Sequence, residues 1–249
     1  MEQNGDGLED LLAKLFRPRG TCQLCQKQIL KGEAEFHLGK CLAQHPASGR
    51  PSPKYLLLVE GSEHPEHYWL YLEMVQQAKL ARLDQFLRTL WLECCGHLSA
   101  FTIENTRYCI DAGWYEEEWG TEPAMQEEPM DVPIRRVLEP GQDCAYEYDY
   151  GSTTYLTIQV IAAYPGAATG SSVRCLARND PPRLWCNGNR CGRVATLVCP
   201  FCKDTAPFGK AGWFCERCAK KHDCGIETML PVVNSPRVGV CGYTGEIPS

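Results

Sequence analysis

The sequence lacks any apolar run approaching the roughly 20 residues that a transmembrane helix needs. Its first residues, MEQNGDGLEDLL, are acidic and have neither the basic nor the apolar region of a secretory signal. It also has no phosphate-binding loop, dinucleotide-binding glycine pattern or His-Glu-x-x-His pair. We therefore expect a cytoplasmic protein without a membrane partner, and no nucleotide or metalloprotease motif indicates an activity.

Cysteine, by contrast, is abundant, with 16 among 249 residues. In a chain without an export signal, so many cysteines indicate metal ligands and reduced thiols rather than disulfides. Their uneven distribution predicts a core flanked by zinc modules. We place an N-terminal helix and zinc finger at 1–50, the core at 51–173, and a double-zinc module with a tail at 174–249.

The C-terminal module has seven cysteines and one histidine in ordered pairs. Eight sulfur and nitrogen ligands are what two closed, tetrahedral zinc sites require. Alternating use of the pairs gives one site with Cys186, Cys191, Cys215 and Cys218, and another with Cys199, Cys202, His222 and Cys224. The end of the array resembles MYND and B-box fingers, which alternate in this way; serial pairing is the alternative. Because four protein ligands leave no open position, we expect structural rather than catalytic metals.

A third zinc site is predicted near the N-terminus. Cys22 and Cys25 form a knuckle, and His37 and Cys41, four residues apart, would lie on one face of a helix. This order of hairpin and then helix resembles the C2HC zinc-finger family. His45 has the same spacing from Cys41 and is the alternative to His37. The prediction is therefore three Zn2+ ions per chain.

Charge is distributed unevenly along the chain. Residues 1–50 carry a net +1, residues 51–173 a net −12 and residues 174–249 a net +5. A basic segment is compatible with nucleic-acid binding. Seven thiolates and two Zn2+ ions together would add −3 to the C-terminal module and leave it near +2. Nucleic acid is therefore kept as an alternative partner rather than inferred from charge.

The pattern of the core residues predicts an α+β fold. We expect a β-grasp-like antiparallel sheet with one packed helix, and small zinc modules that flank this core. The β-rich runs 55–60 and 68–74 predict a hairpin, and helical spacing of apolar residues predicts a helix over 80–93. The remaining predicted elements are strands at 98–103, 107–110, 144–149 and 153–163, an acidic solvated loop over 115–131, and a short amphipathic helix over 7–16. We expect the apolar tail that begins at Leu230 to pack across the domains.

Several core motifs resemble the plasmid pRiA4b ORF-3-like family, also described as insertion-element passenger proteins. They are Leu83-Asp84-Gln85-Phe86-Leu87, Gly96-His97-Leu98-Ser99-Ala100-Phe101-Thr102-Ile103 and Tyr146-Glu147-Tyr148-Asp149-Tyr150-Gly151-Ser152. The chain departs from the family at Ser152 and Thr153-Thr154, where the family commonly has Asp and then Trp, and it lacks the Pro-x-Ile-Trp-Arg-Arg stretch. The resemblance implies an α+β core of the same kind and no particular reaction.

His97 and Asp149 are the core residues that could form an acid–base pair. The sequence does not bring them together, and Asp149-Tyr150-Gly151 is typical of a turn in which Asp caps and Gly takes a positive φ. Adjacent Cys94 and Cys95 are interpreted as buried small side chains. We expect a zinc-binding adaptor that contacts another protein. A nucleic-acid-associated factor of mobile-element type is the alternative, and an enzyme using His97 and Asp149 is a third hypothesis.

Overall fold

A computed structural model describes residues 19–46, 49–110, 125–205 and 212–245. The helix predicted over 7–16 lies outside these residues. Within the described ranges, no helix combines the length and apolar character needed to cross a bilayer.

The described residues form thirteen strands, four α-helices, one π-helical segment and three short 3-10 helices. The N-terminal part consists of β1 (Arg19–Cys22), β2 (Gln28–Leu30) and α1 (Ala34–Gln44). The central part consists of β3 (Lys54–Gly61), β4 (Trp69–Val75), α2 (Leu80–Leu87) with a π-helical continuation (Arg88–Leu92), β5 (Ser99–Ile103), β6 (Thr106–Cys109), β7 (Gln126–Pro129), β8 (Asp143–Tyr148) and β9 (Thr154–Tyr164). The C-terminal part consists of β10 (Val173–Asn179), β11 (Leu197–Val198), α3 (Pro200–Thr205), β12 (Trp213–Phe214), α4 (Glu216–Ala219) and β13 (Leu230–Pro231).

Ten strands form one sheet in the order β2-β1-β10-β4-β3-β9-β8-β5-β6-β7. Its neighbouring strands are antiparallel, except that β6 and β7 are parallel. The structure thus confirms an α+β fold with a large, mostly antiparallel sheet and few helices. The β-grasp likeness stays a prediction. A second sheet has the order β12-β11-β13.

Both faces of the large sheet are covered at β4. Leu70 and Leu72 point toward the side packed by α2, whereas Trp69 and Tyr71 point toward the side packed by α1. All four side chains are at most 2% exposed. Successive residues of a strand face opposite sides, so burial of both sides explains why this strand is a continuous apolar run.

The helix predicted over 80–93 is confirmed as α2 with its π-helical continuation. Leu80, Leu83, Leu87 and Trp91 recur at helical spacing and are fully buried against the sheet. The helical segment ends at Leu92, and the backbone of the next residue, Glu93, is extended. That ending places residues 94–97 in an accessible turn at the edge of the core.

The C-terminal tail, which was predicted to pack across the domains, packs onto the core. Val238 belongs to the same buried cluster as α2, and Ser235 and Arg237 are 1% and 0% exposed. The Ser235 hydroxyl donates a hydrogen bond to the Trp91 carbonyl oxygen at 2.5 Å. The tail therefore meets the core beside the end of the α2 helix.

Three local predictions are wrong. The described end of the predicted acidic loop contains β7, because it pairs with β6. Cys94 is half-buried and Cys95 is exposed, so they are not buried small side chains. The turn after β8 has the predicted Asp cap, because Asp149 Oδ1 accepts the amides of Gly151 and Ser152, but the positive φ, of 68°, falls on Asp149 and not on Gly151.

The three predicted domains share the large sheet. The segment 1–50 contributes β1 and β2, and most of β10 falls in the segment 174–249. The predicted boundaries themselves stay predictions.

Candidate metal centres

The first predicted centre lies between the β1–β2 hairpin and α1. Cys22 ends β1, and Cys25 lies in the following turn, where the Gln26 amide donates to the Cys22 carbonyl oxygen at 2.8 Å. His37 and Cys41 lie about one helical turn apart on α1. Cys22 Sγ is 3.8 Å from Cys41 Sγ, and Cys25 Sγ is 3.4 Å from His37 Nε2. The four ligand atoms lie within 4.8 Å of one another.

These separations fit a tetrahedral zinc ion. With Zn–S near 2.3 Å and Zn–N near 2.05 Å, tetrahedral angles place two sulfurs about 3.8 Å apart, and a sulfur and a nitrogen about 3.6 Å apart. A disulfide needs a separation of about 2.05 Å. No disulfide joins any of the cysteines, all of which lie in the described ranges.

His45, the alternative ligand, lies beside the first centre but outside its group of four. Its Nδ1 is 3.6 Å from Cys41 Sγ and 2.9 Å from the Cys41 carbonyl oxygen. His45 Nδ1 can therefore donate a hydrogen bond to the Cys41 carbonyl oxygen at the end of the helix. His37 is therefore the histidine that the fold brings to the three cysteines.

The second centre gathers the four cysteines of the first alternating set, namely Cys186, Cys191, Cys215 and Cys218. Cys215 immediately precedes α4, and the Cys218 amide donates to the Cys215 carbonyl oxygen at 2.9 Å. Cys191 Sγ lies 3.7 Å from Cys215 Sγ, close to the tetrahedral separation. The Gly188 amide points at Cys186 Sγ at 3.4 Å, which suits an ionised sulfur.

The third centre gathers Cys199, Cys202, His222 and Cys224. Cys202 Sγ is 3.3 Å from His222 Nε2 and 3.9 Å from Cys224 Sγ. The ring of Phe214 on β12 lies 4.4 Å from the imidazole of His222, centroid to centroid. The two C-terminal groups therefore follow the alternating arrangement rather than serial pairing.

The thiols of these groups resist simultaneous ionisation. Burial raises the pKa of the Cys41 thiol to about 12. A hydrogen bond with Cys191 raises the pKa of Cys218 to about 12. The Arg193 side chain, whose Nε donates to Cys191 Sγ at 3.4 Å, lowers the pKa of Cys191 to about 6. Since the thiolate is the form that binds metal, a divalent cation would supply the charge that lets all the thiols ionise.

A fourth group consists of Cys94, Cys95, His97 and Cys241, whose ligand atoms also lie within 4.8 Å of one another. His97 Nε2 is 3.3 Å from Cys241 Sγ, although the two residues are 144 positions apart. Sequence reasoning missed this group. The Cys-Cys-Gly-His run was one signal, but Cys241 has no nearby cysteine or histidine that would mark it as a ligand.

The structure also brings His97 and Asp149 together, which the sequence could not show. His97 Nδ1 is 3.5 Å from Asp149 Oδ1, and Arg237 Nη2 donates to Asp149 Oδ2 at 2.6 Å. The other ring nitrogen of His97 faces Cys241. Asp149 therefore lies where it can orient the imidazole toward the fourth group.

A groove beside the second centre carries positive charge. Its lining consists of Arg193, Thr196, Cys215, Glu216, Arg217, Lys220 and Lys221. Four cationic side chains and one carboxylate give it a net basic character. Part of that charge faces the cysteine sulfurs through Arg193.

Comparison with known proteins gives little. No family model matches the chain, and no curated protein matches it. Among solved structures, the chain is similar to a crystallised protein of unknown function from Methanosarcina mazei Go1. That match has a TM-score of 0.41 and 12% identity, and it covers 51% of this chain and 69% of the other.

Proposed function

We propose that the chain is a zinc-binding protein whose three predicted centres hold structural Zn2+. The observation that carries this proposal is ligand saturation, because each centre gathers four cysteine or histidine ligand atoms within 4.8 Å. A catalytic zinc normally keeps one position for water or substrate beside three protein ligands. Zinc in these centres would therefore stabilise the fold rather than carry out a reaction.

The C-terminal module depends most on such metals. Its small sheet consists of three strands of two residues each, which form few backbone hydrogen bonds. A structural zinc ion can contribute an apparent binding free energy on the order of 10 kcal/mol to folding. Two ions would hold the module in one shape and so fix the surface that it presents.

We infer that this surface binds another protein, so that the chain acts as an interaction or adaptor module. Trp185 and Val194 form an antiparallel bridge at the start of the module, and their side chains are 52% and 43% exposed. Exposed apolar neighbours often mark interaction sites, and tryptophan is enriched among the residues that dominate binding energy. This backbone bridge fixes the positions of Trp185 and Val194 in the unbound protein.

The metal part of this proposal is tested by zinc X-ray absorption on the purified full chain. We expect a first shell dominated by sulfur at about 2.3 Å with a smaller nitrogen contribution. Removal of zinc by a chelator should unfold the C-terminal elements, so the circular dichroism signal of the chain should weaken and should return with Zn2+. An oxygen-rich shell, or a fold unchanged by chelation, would contradict structural zinc.

The partner part is tested by affinity capture from the native cell with matched variants. We expect the double variant Trp185→Ser with Val194→Ser to abolish capture of the specific partner. Tyr155→Ser is the control, since Tyr155 is 49% exposed on β9. Equal capture by the parent and the double variant would contradict a binding surface at this bridge.

Nucleic acid is the second candidate partner, and the basic groove favours it. If Lys220 and Lys221 contact phosphates, the logarithm of affinity should fall linearly with the logarithm of salt concentration, by about 0.7–0.9 per contact. Lys220→Glu with Lys221→Glu should reduce that slope, while Lys79→Glu, a change on the core, should not. Binding that is absent, or independent of salt, would reject this function.

We also propose that the core is of the plasmid pRiA4b ORF-3-like, β-grasp-like type. The three sequence motifs meet at one buried carboxylate: Asp84 Oδ1 accepts hydrogen bonds from Ser99 Oγ at 2.6 Å and from Tyr146 Oη at 2.8 Å. Contact among the motifs supports a shared origin of the core. A crystal structure of a family member should show the same contact and strand order, and a different order would reject the assignment.

A further inference from the structure

We propose that Cys94, Cys95, His97 and Cys241 form a fourth, thiolate-rich zinc site that fastens the C-terminal tail to the core. The four ligand atoms lie within 4.8 Å of one another. The ligand set is three cysteines and one histidine, the same as in the first and third centres. The sulfur–nitrogen separation of 3.3 Å between Cys241 and His97 equals the separation of 3.3 Å between Cys202 and His222.

The fold prepares the first three ligands at the end of α2. Glu93 Oε1 accepts the Gly96 amide at 2.6 Å and the Tyr148 hydroxyl at 2.9 Å, and Arg88 pairs with the other oxygen of Glu93. Gly96 has a φ of 74°, a conformation that glycine adopts readily. These contacts bend the chain so that residues 94–97 present their ligands in one direction.

The fourth ligand arrives on a tight turn of the tail. Cys241 has a φ of 49° and is followed by Gly242 with a φ of 69°. The left-handed region is uncommon for cysteine and persists where the surroundings enforce it. The buried Tyr243 donates its amide to the Val240 carbonyl oxygen at 2.9 Å, which closes the turn around Cys241.

A second layer of polar groups supports the ligands. Metal-binding histidines commonly donate their remaining ring N–H to a carboxylate, which fixes the ring orientation. Asp149 lies 3.5 Å from His97 Nδ1 and is in turn held by Arg237. Arg237 Nη2 also lies 3.4 Å from Cys94 Sγ, so a cation faces a sulfur that must ionise to bind metal.

A set of three sulfurs and one nitrogen selects a thiophilic cation, and zinc is the ion that a tetrahedral arrangement of such ligands suits best. Cys95 and Cys241 are exposed, so the site lies at the surface, open to exchange with solvent metal. It joins the core to a segment 144 positions away. The site shares no ligand with the other three centres.

The test is zinc content per full-length chain, measured after saturation with Zn2+ and removal of the excess. We expect four ions in the parent and three in the double variant Cys95→Ser with Cys241→Ser, which keeps only two of the ligands. Cys175→Ser is the matched control, because Cys175 lies on β10 outside all four groups, and it should keep four. Three ions in both the parent and the double variant, or four in both, would overturn the proposal.

Cobalt substitution gives a second readout that does not depend on counting ions. Thiolate-to-cobalt charge transfer reports the sulfur ligands, and the double variant should lose the contribution of three of the thirteen cysteine sulfurs in the four groups. Circular dichroism of the zinc-loaded double variant shows whether it is folded. A folded double variant with an unchanged cobalt spectrum would equally overturn the proposal.

Discussion

Replacing Arg237 with methionine should destabilise the protein strongly. The Arg237 side chain is 0% exposed. Its Nη2 donates to Asp149 Oδ2 at 2.6 Å, and its Nη1 donates to the Ser152 carbonyl oxygen and to Thr154 Oγ1 at 3.1 and 3.0 Å. The guanidinium also lies 4.8 Å from the centroid of the Tyr148 ring. Methionine would preserve much of the volume but leave the carboxylate of Asp149 without its cation.

The expected loss is about 3–5 kcal/mol, the usual cost of removing one partner of a buried ion pair. For a chain of this size, each kcal/mol lowers the melting temperature by roughly 2–4 °C, so the shift should be about 6–20 °C. Thermal unfolding followed by circular dichroism measures it. Saturating Zn2+ is kept in all samples, because bound metal changes the melting temperature by mass action.

Two further variants separate the ion pair from a general effect of substitution. Adding Asp149→Asn to Arg237→Met removes both charges, so the double variant should lose less stability than the sum of the single losses. Lys79→Met breaks an exposed ion pair, because the side chains of Lys79 and Asp131 are 52% and 70% exposed. This variant should lose about 0–1 kcal/mol of stability. A loss below about 1 kcal/mol for Arg237→Met would refute the reasoning, because it would fall within this surface range.

The remaining predictions concern three positions. A Cβ at Gly188 would lie 2.4 Å from Cys218 Sγ, so Gly188→Ala should speed zinc release to a chelator by about 10-fold or more. Gly32→Ala, with nothing within 4 Å, should leave the release rate unchanged, and equal rates would contradict the first claim. A Cβ at Gly20 would lie 2.4 Å from the buried Trp69 ring, so Gly20→Ala should cost about 1–3 kcal/mol in denaturant unfolding. Gly39→Ala, an open position within α1, should be neutral or stabilising, and a Gly20→Ala variant as stable as the parent would refute the overlap. Glu73→Gln should cost about 3–5 kcal/mol by the same assay. The reason is that Lys54, which is 1% exposed and whose Nζ lies 3.6 Å from Glu73 Oε1, would lose its buried anion. A loss below about 1 kcal/mol would be inconsistent with that ion pair.

The three predicted groups of cysteine and histidine could be recognised in the sequence because their members come in close pairs. Cys22 and Cys25 lie three residues apart, as do Cys215 and Cys218, and such spacing alone places two sulfurs on one turn. In the C-terminal module the resemblance to known double fingers favoured alternating over serial pairing, and the fold groups the residues in the alternating way. His37 and His45 have equivalent spacing from Cys41, so only the fold distinguishes them.

The fourth group could not be found in this way. Cys241 is alone in its part of the sequence, and its contact with His97 depends on how the tail crosses the end of α2. The contact between His97 and Asp149 likewise depends on β5 pairing with β8. Helix α2 was predictable because apolar spacing reports one buried face, whereas the order of ten strands depends on long-range pairing that no local pattern encodes.

Anomalous diffraction at the zinc edge, on crystals of the full chain, tests the central claim most directly. The three predicted centres should each show one peak surrounded by four protein ligands, with no water in the first shell. The first peak should lie among Cys22, Cys25, His37 and Cys41, and the other two in the alternating C-terminal sets. A missing peak at any of these centres, or a zinc with three protein ligands and a bound water, would contradict closed structural sites.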